Sequence, residues 1–244
     1  MFDLVDVTSS AAVGRVVGVV AAAAGLALLL VLYWELVIAE GAHLGPRMVV
    51  WLYDLTAGYY DRIKKFDLQV EADLLGLPVT AALAAVQAPL VLDVAGGTAR
   101  VARALLRQPA FDGRVVNLDL SRRMLAEGKR ACAAWPERVS WLRAPAGALP
   151  FAPATFDAVT CLEALEFVPD ARAVLAECAR VLRPGGLLLV TNRVGHDAWL
   201  LPGKTFSSAA FERLLGELPL RDVEVQPWQV EYDLAWAKKS KDEG

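Results

Sequence analysis

The run Val91-Leu92-Asp93-Val94-Ala95-Gly96-Gly97-Thr98-Ala99-Arg100 places a short, branched apolar stretch directly before a glycine turn. A strand feeding such a turn brings backbone N–H groups close to a ligand at the start of the next helix. A second apolar stretch ends at Asp119, 26 positions after Asp93. A carboxylate there can accept two hydrogen bonds from a ribose diol, so glycine turn plus acid is the generic layout of a nucleotide-type site. The G-x-G-x-x-G spacing of dinucleotide sites is absent, which lowers a nicotinamide reading. Further along, Glu163, Glu166 and His196 follow two more apolar runs. They fall at the edge of the sheet where such folds bind ligands and are candidates for moving a proton. Glu166 is the first candidate base and His196 the second. A helix-start carboxylate and an ordinary loop histidine are the competing readings. With only His43 and His196 present, a histidine cluster is impossible. Cys132, Cys161 and Cys178 are widely spaced without a C-x-x-C pair, so no metal site is expected and small apolar core residues are the simpler reading.

These residues need a scaffold, and the pattern from residue 90 onward supplies one. Strands are expected at Leu90–Ala95, Val115–Leu118, Val139–Leu142, Phe156–Leu162 and Leu187–Thr191. Helical spacing covers Ala99–Arg107 and Arg122–Ala134, the latter with Ser121 as its cap. Asp170 caps a third helix, in which Val174, Leu175, Cys178, Val181 and Leu182 share a face. Arg183-Pro184-Gly185-Gly186 stops it. Strands alternating with helices imply an α/β, doubly wound parallel sheet. Trp228, Val230, Tyr232, Leu234 and Trp236 then alternate with mostly polar residues, a period of two. Asp222–Gln226 reads as their antiparallel partner across Pro227. The aromatic stripe reads as core packing in preference to a substrate cage. The uncharged stretch Leu74–Leu92 is broken by Pro78, Gln87 and Pro89 and reads as a short buried helix running into a strand.

The chain of 244 residues is 56% hydrophobic and 22% charged, with a net charge of −3 and a mean hydropathy of +0.39. Mild acidity argues against nucleic acid, and the composition excludes collagen-like, disordered and disulfide-scaffold classes. The apolar excess concentrates in Val16–Trp34, an uncharged run of 19 residues without proline. At ~1.5 Å per residue it spans about 28 Å, close to a hydrocarbon core. Tyr33 and Trp34 at its end suit the headgroup layer. A core helix would be shorter or carry a polar face. A signal peptide would open on basic residues, where this chain has Asp3 and Asp6. The segment is therefore expected to be a transmembrane helix over about 16–38. Arg15 and Arg47 flank it evenly; Arg62, Lys64 and Lys65 tilt the balance toward a single-pass protein whose C-terminal part faces the cytoplasm. The expected organisation is an anchor over 1–40, a linker with helices over 41–88 and a catalytic domain over 89–240.

Taken together, four ordered motifs resemble the class I S-adenosylmethionine-dependent methyltransferases, most closely the branch that methylates ubiquinone and menaquinone precursors. They are VLDVAGGTA, NLDLSRRML, LPFAPATFDAVTCLEALEFVPD and RVLRPGGLLLVTN, preceded by the Tyr53-Asp54 to Tyr60-Asp61 segment. The resemblance spans residues 50 to 195 and, loosely, the closing hairpin. It implies a Rossmann-like seven-stranded sheet, five parallel strands plus an antiparallel hairpin, and S-adenosylmethionine as cofactor. By the same resemblance Ala95, Gly96, Gly97 and Thr98 would face the methionine end of the cofactor, and Asp93 its amino group. Asp119 would hold the ribose with Leu120 beside the adenine, Ala146 would flank the adenine, and Tyr60 would form a lid. Three positions depart from the pattern. Ala99 replaces a glycine, Pro145 an acid or amide that reads the adenine amino group, and Glu166 a histidine. An anchored enzyme of this class would act on a lipophilic small molecule such as a quinone precursor, with phospholipid headgroup N-methylation as the nearest rival. A non-catalytic, membrane-anchored assembly subunit is the alternative that Ala99 and Pro145 suggest. Oligomeric state is not encoded.

Overall fold

Val91, Leu92 and Val94 point alternately to opposite faces of one strand, yet all are fully buried. Strands that read as unbroken apolar runs belong inside a parallel sheet covered on both sides. The computed structural model describes residues 5–241 and shows that sheet. Its strands are β1 (Leu90–Val94), β2 (Arg114–Asp119), β3 (Val139–Arg143), β4 (Phe156–Cys161), β5 (Leu182–Arg193), β6 (Leu220–Trp228) and β7 (Tyr232–Lys239). The order across the sheet is β3-β2-β1-β4-β5-β7-β6. β1 to β5 pair in parallel, and β7 runs antiparallel between β5 and β6. The chain leaves β1 toward β2 and β3, then returns to lay β4 on β1's other side. That reversal opens a crevice beyond the carboxyl ends of β1 and β4, where ligands bind in open α/β sheets.

Helices α6 (Arg100–Leu106), α7 (Arg122–Ala131) and α8 (Ala171–Val181) follow β1, β2 and β4, and α10 (Ser208–Gly216) precedes β6. Ser121, Asp170 and Ser207 each accept a bond from an N–H in the first turn of α7, α8 and α10, satisfying donors that a helix start leaves open. One side of the sheet is packed by Leu92, Leu118, Phe156, Leu175, Leu188 and Phe211, the other by Val91, Leu105, Val115, Ala158 and Leu189. The three cysteines are buried free thiols.

Two local expectations need correction. The helix containing Cys178 ends at Val181; Leu182 is already extended, and Arg183–Gly186 lies within the long β5 instead of forming a stop. The final hairpin turns at 229–231, not at Pro227, which pairs with Asp233 inside the ladder. Pro227 is tolerated because β6 is the edge strand. β7 lies between two neighbours, so Asp233, Ala235 and Ala237 are buried along with Tyr232 and Leu234, while Val230 sits exposed in the turn.

Before the sheet, α1 (Val5–Tyr33) continues through a π-turn, Trp34–Ile38. Residues Ala12–Ile38 form one helix long and apolar enough to cross a membrane. Its most apolar 18-residue stretch has no residue buried against the rest of the chain, unlike a core helix; burial begins only at its end, with Glu35. Short helices α2 (Pro46–Thr56), α3 (Tyr60–Ile63), α4 (Leu68–Glu71) and α5 (Leu77–Ala82) then lead to β1. The π-turn Ala72–Gly76 packs against α6 so closely that a Cβ on Gly76 would overlap the backbone of Ala104.

Gly76→Ala should therefore lower stability by on the order of 1–3 kcal/mol, the scale of overpacking. Gly216→Ala, in open space at the end of α10, should raise it by about 0.5 kcal/mol by restricting the unfolded chain. Paired thermal unfolding midpoints check both signs.

Candidate cofactor and acceptor site

The turn after β1 is held open by its neighbours. Ala95, Gly97 and Ala99 all lie in the left-handed region, with φ of 54°, 51° and 65°. For the two alanines this costs roughly 1 kcal/mol or more each, offset by fixed bonds on every side. Gly96 N–H donates to the Leu118 carbonyl and Gly97 N–H to Asp119 Oδ2, at 3.0 and 2.9 Å. A Cβ on Gly96 would strike Asn117 Oδ1 and the Asp93 carboxylate. Only glycine lets the backbone approach that closely.

Asp93, at the carboxyl-terminal part of β1, accepts from Thr160 Oγ on β4 at 2.6 Å; its other oxygen is buried without a partner. Burial pushes this acid up to about 7, against the pull of the Thr160 bond and with a further push from Asp119. Asp119 ends β2 and accepts from Gly97 N–H and, at 2.7 Å, from Ser121 N–H. Burial raises it to about 6 even so.

Residues 46–66 cover this crevice. Asp54 accepts from Ser121 Oγ and from Arg123 N–H at the start of α7. Asp61 accepts from Thr98 Oγ and from Arg103 Nη1 on α6, both at 2.6 Å. The Tyr-Asp pairs thus divide their work, for Tyr53 and Tyr60 line the cavity while each aspartate latches the segment to a helix. Tyr53 donates to Glu40 Oε2 at 2.7 Å, and burial first, then Glu40, raises its pKa. The Tyr60 ring packs on Tyr53 and edge-on to Phe66.

Underneath lies a cavity of about 400 Å³. It is lined by Asp119, Leu120, Pro145, Ala146 and Gly147 and by a largely apolar set, Val49, Val50 and Tyr53 from α2 with Phe167, Val168 and Val174. A smaller cavity of about 40 Å³ adjoins it along Asp93, Gly96, Thr98 and Arg100, sharing Tyr60, Ala95, Gly97, Leu162 and Glu163 with the first. Arg100 is buried between two acids, donating to Glu71 through Nε and Nη2 and to Glu163 through Nη1 at 2.6 Å. Lys64 completes the group, 3.4 Å from Glu163.

Of the residues singled out from sequence, Tyr60, Asp93, Ala95, Gly96, Gly97, Thr98, Asp119, Leu120 and Ala146 all line these joined cavities. The Thr98 hydroxyl is given to Asp61. Ala99 lines neither cavity; its side chain is buried in the core beneath the turn. Pro145 does line the large one. Glu166 and His196 are not brought to the cavities. Glu166 is 1% exposed in a 3₁₀ turn, accepting from Tyr232 at 2.9 Å, with Arg193 at 3.4 Å and its other oxygen unpartnered. Burial raises its pKa, Arg193 opposing. His196 stands exposed on α9 (Gly195–Trp199), 3.8 Å from Asp197. Sequence reading passed over Arg100, Glu71, Lys64 and Tyr53. The one available signal was the repeated Tyr-Asp pair, which marked the segment without revealing its partners.

An adenosyl ligand with a charged amino-acid end fits what is present: an unpartnered buried carboxylate oxygen on Asp93, a glycine cradle beside it and an acid flanked by small apolar residues. Comparison with known proteins agrees. Residues 92–190 match the family described as a methyltransferase domain. A ubiquinone/menaquinone biosynthesis C-methyltransferase, UbiE, from Desulfotalea psychrophila is 38% identical over 135 residues, covering 55% of this chain and 54% of the relative. A demethylmenaquinone methyltransferase from Clavibacter sepedonicus is 35% identical over 164 residues, covering 64% and 65%. The chain thus spans between half and two thirds of the length of these relatives. The solved structure of the [4+2]-cyclase SpnF superposes with a TM-score of 0.66 at 17% identity, covering 80% of this chain and 96% of that one, and shows a shared fold.

Asp93 and Asp119 have native pKa values above the ordinary 3.8. The folded protein therefore holds these protons more tightly than the unfolded chain. Their contribution is fully present below about pH 4 and is lost as pH rises through 6 to 7, by about 4 kcal/mol for the Asp93 shift. Denaturant titrations should show lower stability at pH 8 than at pH 5, and Asp93→Asn should shrink that difference. An unchanged difference would place the protons elsewhere.

Proposed function

We propose that the protein is an S-adenosylmethionine-dependent methyltransferase, held to a membrane by the Ala12–Ile38 helix, that methylates a lipophilic small molecule of the quinone-precursor class. The observation that carries this reading is the joined cavity. Its one part fits an adenosyl amino acid, and its other part is an apolar chamber large enough for a ring. The cofactor, when bound, supplies a methyl group already activated on a sulfonium. What the chain adds is alignment and a dry enclosure. Asp119 holds the ribose hydroxyls, Leu120 and Ala146 sandwich the base, and Asp93 with the Gly96–Gly97 amides receives the amino-acid end. Tyr53 and Tyr60 close over the junction and exclude water.

A carbon or oxygen acceptor must also give up a proton. Glu163 is the carboxylate that borders both cavities, so it is the group placed to receive one, with Lys64 and Arg100 beside it to stabilise an acceptor oxyanion. Glu166, buried behind it, positions Tyr232 and Arg193. His196, exposed on α9 away from the cavities, has no part in this reading. The apolar walls favour a membrane-dissolved ring over a charged phospholipid headgroup. The relatives that match, named for quinone methylation, favour it as well. The basic residues 47, 62, 64 and 65 after the span favour a cytoplasmic domain. The assembly-subunit reading keeps one of its two motives, for Ala99 stays out of the cavities while Pro145 lines the large one.

Calorimetric titration of the purified protein with S-adenosylmethionine should give saturable heat, and Asp119→Ala should weaken binding by about 1–3 kcal/mol, the scale of a lost charged hydrogen-bond partner. No heat up to millimolar ligand would return the non-catalytic reading. Methyl-labelled cofactor incubated with lipid extract should place label in the quinone fraction. Label confined to phospholipid headgroups would overturn the acceptor assignment.

A further inference from the structure

The same helix that walls the acceptor chamber turns an apolar face outward. Trp51 and Leu55 on α2, Tyr59 in the 3₁₀ turn Ala57–Tyr59 and Ile63 on α3 recur every four residues and are 53%, 52%, 61% and 60% exposed. Four large apolar side chains in one such series are more than the scattered exposure of an ordinary surface. A step of four residues drifts only about 40° around an α-helix, so Trp51 and Leu55 share a face of α2, and Tyr59 and Ile63 extend the exposed apolar series beyond the 3₁₀ turn. Leu44, in the turn before α2, and Val37, near the end of the anchor helix, are exposed as well and continue it toward the span. Basic side chains border the stripe: Arg47, Arg62 and Lys65 are all exposed, and Arg62 lies over the Tyr59 ring at 4.8 Å. Aromatic rings among aliphatic and basic residues are the composition of a surface at the headgroup layer.

The stripe is also held at a set place relative to the anchor. Only residues 39–45 separate the end of the span from α2. That turn is clamped at several points. Glu35, buried in the π-turn, accepts from His43 N–H and meets its ring Nδ1 at 3.2 Å. The other ring nitrogen of His43 lies 3.1 Å from the Pro202 carbonyl, and Trp34 Nε1 donates to the Leu200 carbonyl at 3.0 Å. Tyr53 on α2 reaches back to Glu40. Ala39, Ala42 and Leu201 pack together in the middle. A helix tethered by so short and so braced a turn starts at the depth where the hydrocarbon ends.

We propose that Trp51, Leu55, Tyr59 and Ile63 form an interfacial membrane-contact surface, resting α2 on an anionic lipid surface beside the anchor. This rests on the anchored reading above and extends it. α2 shows lipid one face and shows the acceptor chamber Val49, Val50 and Tyr53 from the other. A lipophilic acceptor then enters past a single helix thickness from the bilayer, without crossing bulk water. The interspersed basic side chains favour a lipid surface over a second copy of this chain, whose stripe would carry the same charges.

The full-length protein reconstituted in vesicles of zwitterionic and anionic phospholipid tests this directly. The native cysteines are buried, so single labels can be placed at Trp51→Cys and Leu55→Cys, with two separate sites guarding against one variant failing to fold. Leu28→Cys in the anchor and Glu137→Cys, exposed just before β3 at the amino-terminal end of that strand, away from the crevice, serve as references. Nitroxide lipids labelled near the headgroup should quench the 51 and 55 labels at least twofold and leave the 137 label unchanged, while nitroxides deep in the chains quench the label at 28. Quenching at 28 without quenching at 51 and 55 overturns the contact surface alone. No quenching at 28 overturns the anchor, and this proposal with it. Energy transfer between 55 labels on separate chains, with no lipid quenching there, would assign the stripe to a second copy and equally overturn it.

Discussion

Asp119 is the point on which the site turns. Its two oxygens take the Gly97 and Ser121 amides, so one carboxylate at the end of β2 fastens the turn after β1 to the start of the helix after β2. That bond set keeps three successive left-handed positions, at 95, 97 and 99, in register. Without it the strain at the two alanines would have nothing to balance it. The arrangement is costly for the acid, which is why its pKa stands above the ordinary range. Stability is thereby given up where ligand recognition needs a buried acid.

The covering segment repeats the same logic at larger scale. Asp54 and Asp61 each bind the start of a helix that leaves the crevice. The lid is therefore sprung from the very elements that form the floor. Tyr53 ties that lid to Glu40 and so to the end of the apolar helix. A continuous path of hydrogen bonds thus runs from the proposed membrane anchor, through α2, to the turn at Gly97. The path is a chain of contacts, and its mechanical role follows from their burial, since in a drier medium each such bond is harder to exchange for water.

Much of the fold was legible in advance because parallel strands buried on both faces leave an unambiguous trace, a short branched run ending in a turn residue. The five parallel strands, the caps Ser121 and Asp170 and the closing hairpin all follow from period and punctuation. The misplaced hairpin turn shows the limit of that reasoning. Proline argues against a central strand, but β6 is an edge, and edge position is a property of the whole sheet. Likewise the alternation in β7 suggested one wet face, whereas both its faces pack into the core, Ala235 and Ala237 on one side of the sheet and Leu234 on the other.

The local chain alone determined which residues build the cradle, for the glycine turn and the acid at the end of β2 are near enough in structure to be set by two strand ends. It also determined that one segment is too apolar to share the core. Only the tertiary structure decided the charged neighbourhood. Arg100 meets Glu71 and Glu163 across 29 and 63 residues. Glu163 faces the cavity while Glu166, three positions later, turns into the core. No periodicity distinguishes those two acids. The difference comes from a short 3₁₀ turn and from Tyr232 arriving on a strand 66 residues away, a contact that exists only once the sheet has closed.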